Sequence, residues 1–146
     1  ADKQSLLFEL LRGNMTELIA ALDAAALTGT PFARLEGFTR FHIRFHLPRR
    51  DTVFLSYMEL RNLSDENFAL IADLRRAYED RLEDILRSGV AVGAFAVPDC
   101  RVATLGLIAL LTGITNWYRP EGRLSPAEVE AIYCKLVCQS VGARTP

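Results

Sequence analysis

The chain has 146 residues, half of them apolar and 24% charged, with a formal net charge of −1. That makeup excludes a disordered or fibrous protein and fits one domain around a single sizeable core. Its arginines are scattered among acids, which excludes a segment that holds nucleic acid by its own clustered positive charge.

The apolar spacing is helical throughout, with no strand-like alternation, internal repeat or low-complexity tract. A first helix is predicted from about Asp2 to Asn14 or beyond, with Leu6, Leu7, Leu10, Leu11, Leu18 and Leu22 as its stripe. Thr28-Gly29-Thr30-Pro31 breaks it, and Thr30 caps a second helix with Pro31 at the first helical position. Leu35, Phe38, Phe41, His42 and Phe45 share one broad face of that helix, which must end near Leu47-Pro48. A third helix covers about Asp51 to Asn62. Ser64 then caps a long fourth helix, with Asp65 and Glu66 favourably set against its dipole. A fifth, from about Asp99 to Tyr118, is apolar nearly all round and so must be buried on more than one side. Arg119-Pro120-Glu121-Gly122 is turn chemistry. Ser125-Pro126-Ala127-Glu128 is a capping box opening the sixth helix. The expected fold class is therefore all-α, with six helices.

Cys100, Cys134 and Cys138 are odd in number and lack the spacing of a disulfide framework, which points to a reducing cytosol and a cytoplasmic protein. No signal peptide opens the chain. The longest apolar run, Val102 to Ile114, falls short of the roughly 20 residues a bilayer crossing needs, so no membrane partner is expected.

The last two helices are over-supplied with apolar surface. Two such hairpins from two subunits would close a four-helix bundle, with Gly106, Ala109 and Gly113 allowing close approach. The expected homodimer interface is Leu105, Ile108, Ala109 and Thr112 with Val129, Ile132, Tyr133, Leu136 and Val137. The alternative is that both are plain core helices of a monomer.

Catalytic chemistry has little to stand on. His42 and His46 lie four apart on one helix face, yet no acid or cysteine on a neighbouring turn completes a metal set, so no metal or other cofactor is expected. The plain reading makes His42 half-buried and His46 a surface residue. Cys134 and Cys138, also four apart, read as small core residues. No nucleophile elbow, phosphate loop or paired-cysteine metal signature is present, and no enzyme is expected. A ligand pocket has more support: aromatic residues of the second to fourth helices are interspersed with arginines, as in an apolar cavity with a few converging polar groups. The same stripe also reads as plain core.

Four stretches carry a family resemblance. Ala1-Asp2-Lys3-Gln4-Ser5-Leu6-Leu7 resembles the junction in TetR-family regulators where the helix-turn-helix head ends and the first sensor helix begins. The opening at Ala1 without methionine matches a chain from which that head is missing. Val53-Phe54-Leu55-Ser56 with Glu59-Leu60-Arg61-Asn62-Leu63 resembles the segment before the long helix in one subgroup. Ile85 to Phe95 and Asn116-Trp117-Tyr118-Arg119-Pro120-Glu121-Gly122-Arg123-Leu124-Ser125 are similar to two further runs of that subgroup. Trp117 abuts Tyr118 directly, where members often carry another aromatic between.

The resemblance implies a two-fold dimer through the last two helices and a pocket enclosed by the earlier helices and the fifth. It implies a repressor that leaves its operator on binding an apolar or acyl-CoA-like effector, touching DNA only through the N-terminal head. The two heads would then no longer match half-sites about one helical turn apart. The expected pocket walls are Phe38, Phe41, Phe45, Tyr57, Met58, Phe68, Ile71, Leu107 and Leu111. His42, Arg61, Arg75 and Trp117 are the polar or mouth-forming candidates. A multidrug or aromatic-compound sensor of the same family, or a helical adaptor with no ligand, are the alternatives.

Overall fold

A computed structural model describes residues 2–144, and every regular element among them is helical. The order is α1 (Lys3–Ala25), α2 (Pro31–His46), α3 (Arg50–Glu59), α4 (Asp65–Ala91), α5 (Cys100–Thr112), α6 (Ile114–Trp117) and α7 (Pro126–Ser140). Single 3-10 turns, Leu47–Arg49 and Leu60–Asn62, flank α3. The six expected helices are all present, and the fifth is divided at Gly113 into α5 and the one-turn α6.

The five longest helices start with one device. Asp2, Thr30, Ser64, Asp99 and Ser125 each accept a hydrogen bond from the backbone N–H three residues on. Each satisfies a donor that a helix start otherwise leaves orphaned, worth about 0.5–2 kcal/mol. At Ser125 the bond is reciprocal, because Glu128 reaches back to the Ser125 N–H.

The main core gathers around α2. Leu35 and Phe38 are fully buried, and they pack with Leu18 and Leu22 of α1, Tyr78, Leu82, Ile85 and Leu86 of α4, Leu107 and Leu111 of α5, and Val129 and Val137 of α7. A smaller cluster of Phe8, Leu11, Leu63 and Ile71 joins the first half of α1 to the start of α4. The sequence pattern predicts His46 at the surface and His42 half-buried. Both are buried instead, at 8% and 1% exposure, because α2 has packed neighbours on nearly every side.

The apolar stretch in the second half of the chain is also longer than the Val102–Ile114 run. Cys100–Trp117 spans 18 residues and is long and apolar enough to cross a membrane by length and composition. Here Leu107 and Leu111 turn it into the core, while Val102, Leu110 and Trp117 stay exposed.

The connection from α4 to α5 is folded back on both its neighbours. The N–H groups of Ala94 and Phe95 both donate to the Gly89 carbonyl, at 2.8 and 3.1 Å, and the N–H of Ala96 donates to the Val141 carbonyl at 2.9 Å. This seats the Phe95 ring directly on Gly89, where a Cβ would overlap it. Gly13, on the exposed side of α1, has open space in the same position. Gly89→Ala is therefore expected to cost about 1–3 kcal/mol by overpacking. Gly13→Ala should add about 0.5–1 kcal/mol through helix propensity. Denaturant midpoints of the two variants check both signs, and Phe95→Leu should return part of the Gly89→Ala loss.

Candidate ligand-binding site

Five helices surround a cleft of about 200 Å³. From α1 come Asn14, Met15 and Leu18, and from α2 come His42 and His46. Val53, Ser56 and Tyr57 of α3 form one side, and Arg75, Tyr78 and Glu79 of α4 another. Leu105, Ile108, Ala109 and Thr112 of α5 complete the wall. The lining is mostly apolar, with its polar groups in two places.

The first is the floor. His42 Nδ1 lies 2.6 Å from the Tyr78 hydroxyl and Nε2 lies 2.9 Å from Thr112 Oγ1. The His46 ring stacks on His42 with centroids 4.0 Å apart, and its Nδ1–H donates to the His42 carbonyl at 2.9 Å. Burial, helped by the neighbouring His46, holds His42 well below the usual imidazole pKa. Burial lowers His46 as well, and it raises the Tyr78 phenol well above its ordinary value. The floor is thus neutral: two imidazoles, a phenol and a hydroxyl.

The second is the mouth. Arg75 Nη2 donates to Ser56 Oγ at 2.7 Å, and its guanidinium lies 5.9 Å from the centre of the exposed Tyr57 ring. Arg75 and Glu79 are shared with an adjoining surface groove of about 400 Å³ that also holds Arg76, Arg101 and Phe68. In that groove Arg101 Nη2 donates to Glu79 Oε1 at 2.7 Å.

Of the residues expected at the pocket, His42, Tyr57 and Arg75 lie at this cleft. Phe38 sits behind it in the core, its ring 5.9 Å from His42 and 5.5 Å from Tyr78. Phe41 and Phe45 stack on each other and line a separate groove with Arg40, Arg44 and Arg49. Ile71 is in the smaller cluster, and Leu107 and Leu111 are in the main core. Met58, Arg61 and Phe68 are exposed. Trp117 is 48% exposed and stacks on Tyr133, away from the cleft.

The residues expected at the dimer interface also divide. Ile132 and Leu136 are exposed and Tyr133 is half-buried, whereas Val129 and Val137 have at most 1% exposure and belong to the core. Leu105, Ile108, Ala109 and Thr112 face the cleft, although Leu105 and Ala109 remain exposed at its rim. The outermost strip of α5 and α6 is Val102, Gly106, Leu110 and Trp117, spaced by one or two turns down the helix. The α1 contribution and Val53 of α3 escape the sequence reasoning because Met15, Leu18 and Val53 carry the same apolar signal as any core residue.

A family model described as tetracyclin repressor-like, C-terminal domain, matches residues 28–141. The chain belongs to that family. TetR-family regulators are transcription factors, and solved structures carry the same fold. A TetR-family regulatory protein from Rhodococcus RHA1 is 28% identical with a TM-score of 0.89, over 98% of this chain and 76% of that one. The TetR-family regulator PfmR from Thermus thermophilus is 26% identical with a TM-score of 0.82, over 99% and 78%. The regulator AibR, solved in complex with isovaleryl coenzyme A and operator DNA, is 24% identical with a TM-score of 0.80, over 98% and 77%. At that identity the likeness to AibR is one of fold. No curated protein matches the chain.

Among the described residues no three His, Cys, Asp or Glu side chains gather as a metal site. Both ring nitrogens of His42 are already taken by hydroxyls. The buried histidine pair does make stability depend on pH. An unfolded histidine takes up its proton near pH 6.5, whereas these two resist it when folded. Below about pH 6.5 the unfolded chain therefore binds more protons, and stability falls as pH falls toward the folded values. The slope is at most about 1.4 kcal/mol per pH unit for each histidine. Melting between pH 7.5 and 5 should show this loss, and His42→Gln should shrink it.

Proposed function

We propose that this chain is the effector-sensing and dimerisation unit of a TetR-type repressor, and that its effector is an acyl-CoA-like thioester with a short apolar acyl group. The observation that carries the reading is the five-helix cleft opening at Arg75 into an arginine-bearing groove. A dry apolar cavity of about 150 Å³ holds a benzene ring. A cleft of about 200 Å³ therefore suits a short branched or cyclic acyl group. The bulk of a coenzyme lies outside it, where Arg75, on exchanging its Ser56 bond, and the exposed Arg76 offer charge-assisted hydrogen bonds to phosphates. The isovaleryl coenzyme A of the AibR complex supports a ligand of this size.

The same cleft gives a route to DNA release. α1 forms one wall through Asn14, Met15 and Leu18, and by the resemblance to TetR-family regulators α1 is the helix that would join an N-terminal head. An effector that wedges α1 away from α4 and α5 tilts that head. Release follows only if the effector binds the tilted state better than the operator-competent one. Dimerisation is assigned to the exposed strip Val102, Gly106, Leu110 and Trp117 together with Ile132 and Leu136 of α7. Gly106 leaves open space there for a close helix approach.

Thermal unfolding with isovaleryl-CoA, cyclohexanoyl-CoA and the corresponding free acids tests the effector. A thioester at a hundred times its dissociation constant should add about 2.7 kcal/mol of stability. Arg75→Met should weaken thioester binding roughly tenfold, as loss of a charge-assisted contact does. Binding that is unchanged by Arg75→Met would favour an aromatic-compound sensor, and no shift with any ligand would remove the effector reading. Leu110→Glu should convert a dimer to a monomer in sedimentation at micromolar concentration.

A further inference from the structure

His42, Tyr78 and Thr112 come from α2, α4 and α5, and all three are at least nine-tenths buried at the floor of the cleft. We propose that they form a polarised hydrogen-bond chain that holds one hydroxyl proton toward the cavity, and so select an effector with an uncharged carbonyl oxygen next to its apolar group. The inference rests on the cleft being the effector site.

Proton arithmetic carries it. A neutral imidazole has one N–H, and the phenol and the threonine have one O–H each, so the set holds three protons. Its two internal hydrogen bonds, at 2.6 and 2.9 Å, use two of them. A neutral ring donates from one nitrogen and accepts at the other, so the chain runs in one direction or the reverse. In either direction one terminal hydroxyl keeps its proton for something else. The phenol is the stronger acid and its contact is the shorter, so Tyr78 donates to Nδ1 and Nε2–H donates to Thr112. The spare proton is then on Thr112 Oγ1.

The backbone does not take that proton. Thr16, Thr39 and Thr104 each donate back to the carbonyl four residues earlier in their own helices. Thr112 instead turns its hydroxyl to His42 and makes no such bond. A carbonyl oxygen entering the cleft supplies the missing acceptor. A carboxylate does not fit the same place. It would lose its hydration beside a neutral floor, with Glu79 on the wall and Arg75 at the mouth rather than at the floor. The chain therefore discriminates a thioester, ester or ketone from the free acid by desolvation as well as by pairing.

Acetophenone and α-methylstyrene differ by oxygen against a methylene of similar shape, and benzoate supplies the anion. Dissociation constants for the three probes are measured by titration NMR on the wild-type protein and on Thr112→Val. The expected result is that Thr112→Val weakens acetophenone about five- to tenfold, the worth of one hydrogen bond, and leaves α-methylstyrene within twofold. Benzoate should bind neither protein detectably at concentrations where the ketone saturates. An acetophenone-to-styrene ratio unchanged by Thr112→Val overturns the inference while leaving the cleft a ligand site. Failure of both neutral probes to bind overturns the effector-site reading and this inference with it, and binding of α-methylstyrene without acetophenone overturns the inference alone. Imidazole nitrogen shifts of His42 give a readout that does not depend on the variant. A neutral ring whose Nε2 signal moves with acetophenone and not with α-methylstyrene supports the chain, and a doubly protonated ring near pH 7.5 overturns it.

Discussion

Helix α2 is enclosed by α1, α4, α5 and α7, and most other features of the molecule follow from that enclosure. Leu35, Phe38 and Ile43 lose nearly all contact with water there, and burial on that scale is the largest favourable term in a helical domain. Its one partly exposed strip is taken by Glu36, Arg40 and Arg44, so His42 and His46 fall on packed faces. His42 and His46 must then find partners inside, and they do so through hydroxyls, a backbone carbonyl and each other's rings. The neutral floor of the cleft is a consequence of burying α2, since both ring nitrogens of His42 meet hydroxyls rather than a carboxylate.

Charge is used at the edges of the same arrangement. Arg81 of α4 pairs with Asp23 of α1 through two bonds of 2.8 and 2.9 Å, and Arg49 pairs with Glu17. Glu130 of α7 is only 5% exposed and takes both Arg40 and Arg44 of α2. Exposed pairs of this kind contribute little stability. The Glu130 set differs, because removing the arginines would strand a buried carboxylate. Glu83 and Arg101 present a looser case, since Glu83 Oε1 and Arg101 Nη1 are buried, 3.7 Å apart and without a hydrogen bond. That slack lies between α4 and α5, beside the groove that adjoins the cleft. The scattering of arginines among acids along the sequence is, in three dimensions, partly pairs within one helix, such as Arg76–Asp80 and Arg87–Glu83, and partly ties between helices, such as Arg81–Asp23 and Arg44–Glu130.

The cysteines fit the same picture of plain packing. Cys134 is buried against α2, and burial pushes its thiol up to about 11, so it stays protonated and unreactive. Cys138 is raised by the same cause.

The helices are legible in the amino-acid sequence alone, because their signals are local. Thr30-Pro31, Ser64-Asp65-Glu66 and Ser125-Pro126-Ala127-Glu128 mark starts within a turn, and Pro48 marks a stop. The stripe Phe68, Ile71, Leu74 or Arg75, Tyr78, Leu82 and Ile85 likewise marks which side of α4 is buried, since a polar face lies opposite, although Phe68 in its first turn is exposed. α5 has no such contrast. It is apolar all round, so its sequence carries no phase, and packing alone sends Leu107 and Leu111 into the core while Leu105, Ile108, Ala109 and Thr112 meet the cleft. The same holds for the aromatics: Phe38, Phe45 and Tyr57 look alike in a hydrophobic stripe, yet one is core, one lines another groove and one stands at the mouth. Short-range chemistry sets where a helix begins and ends. Which of its faces meets a neighbour, a cavity or water depends on contacts between residues distant in the chain, and those exist only once the helices have packed.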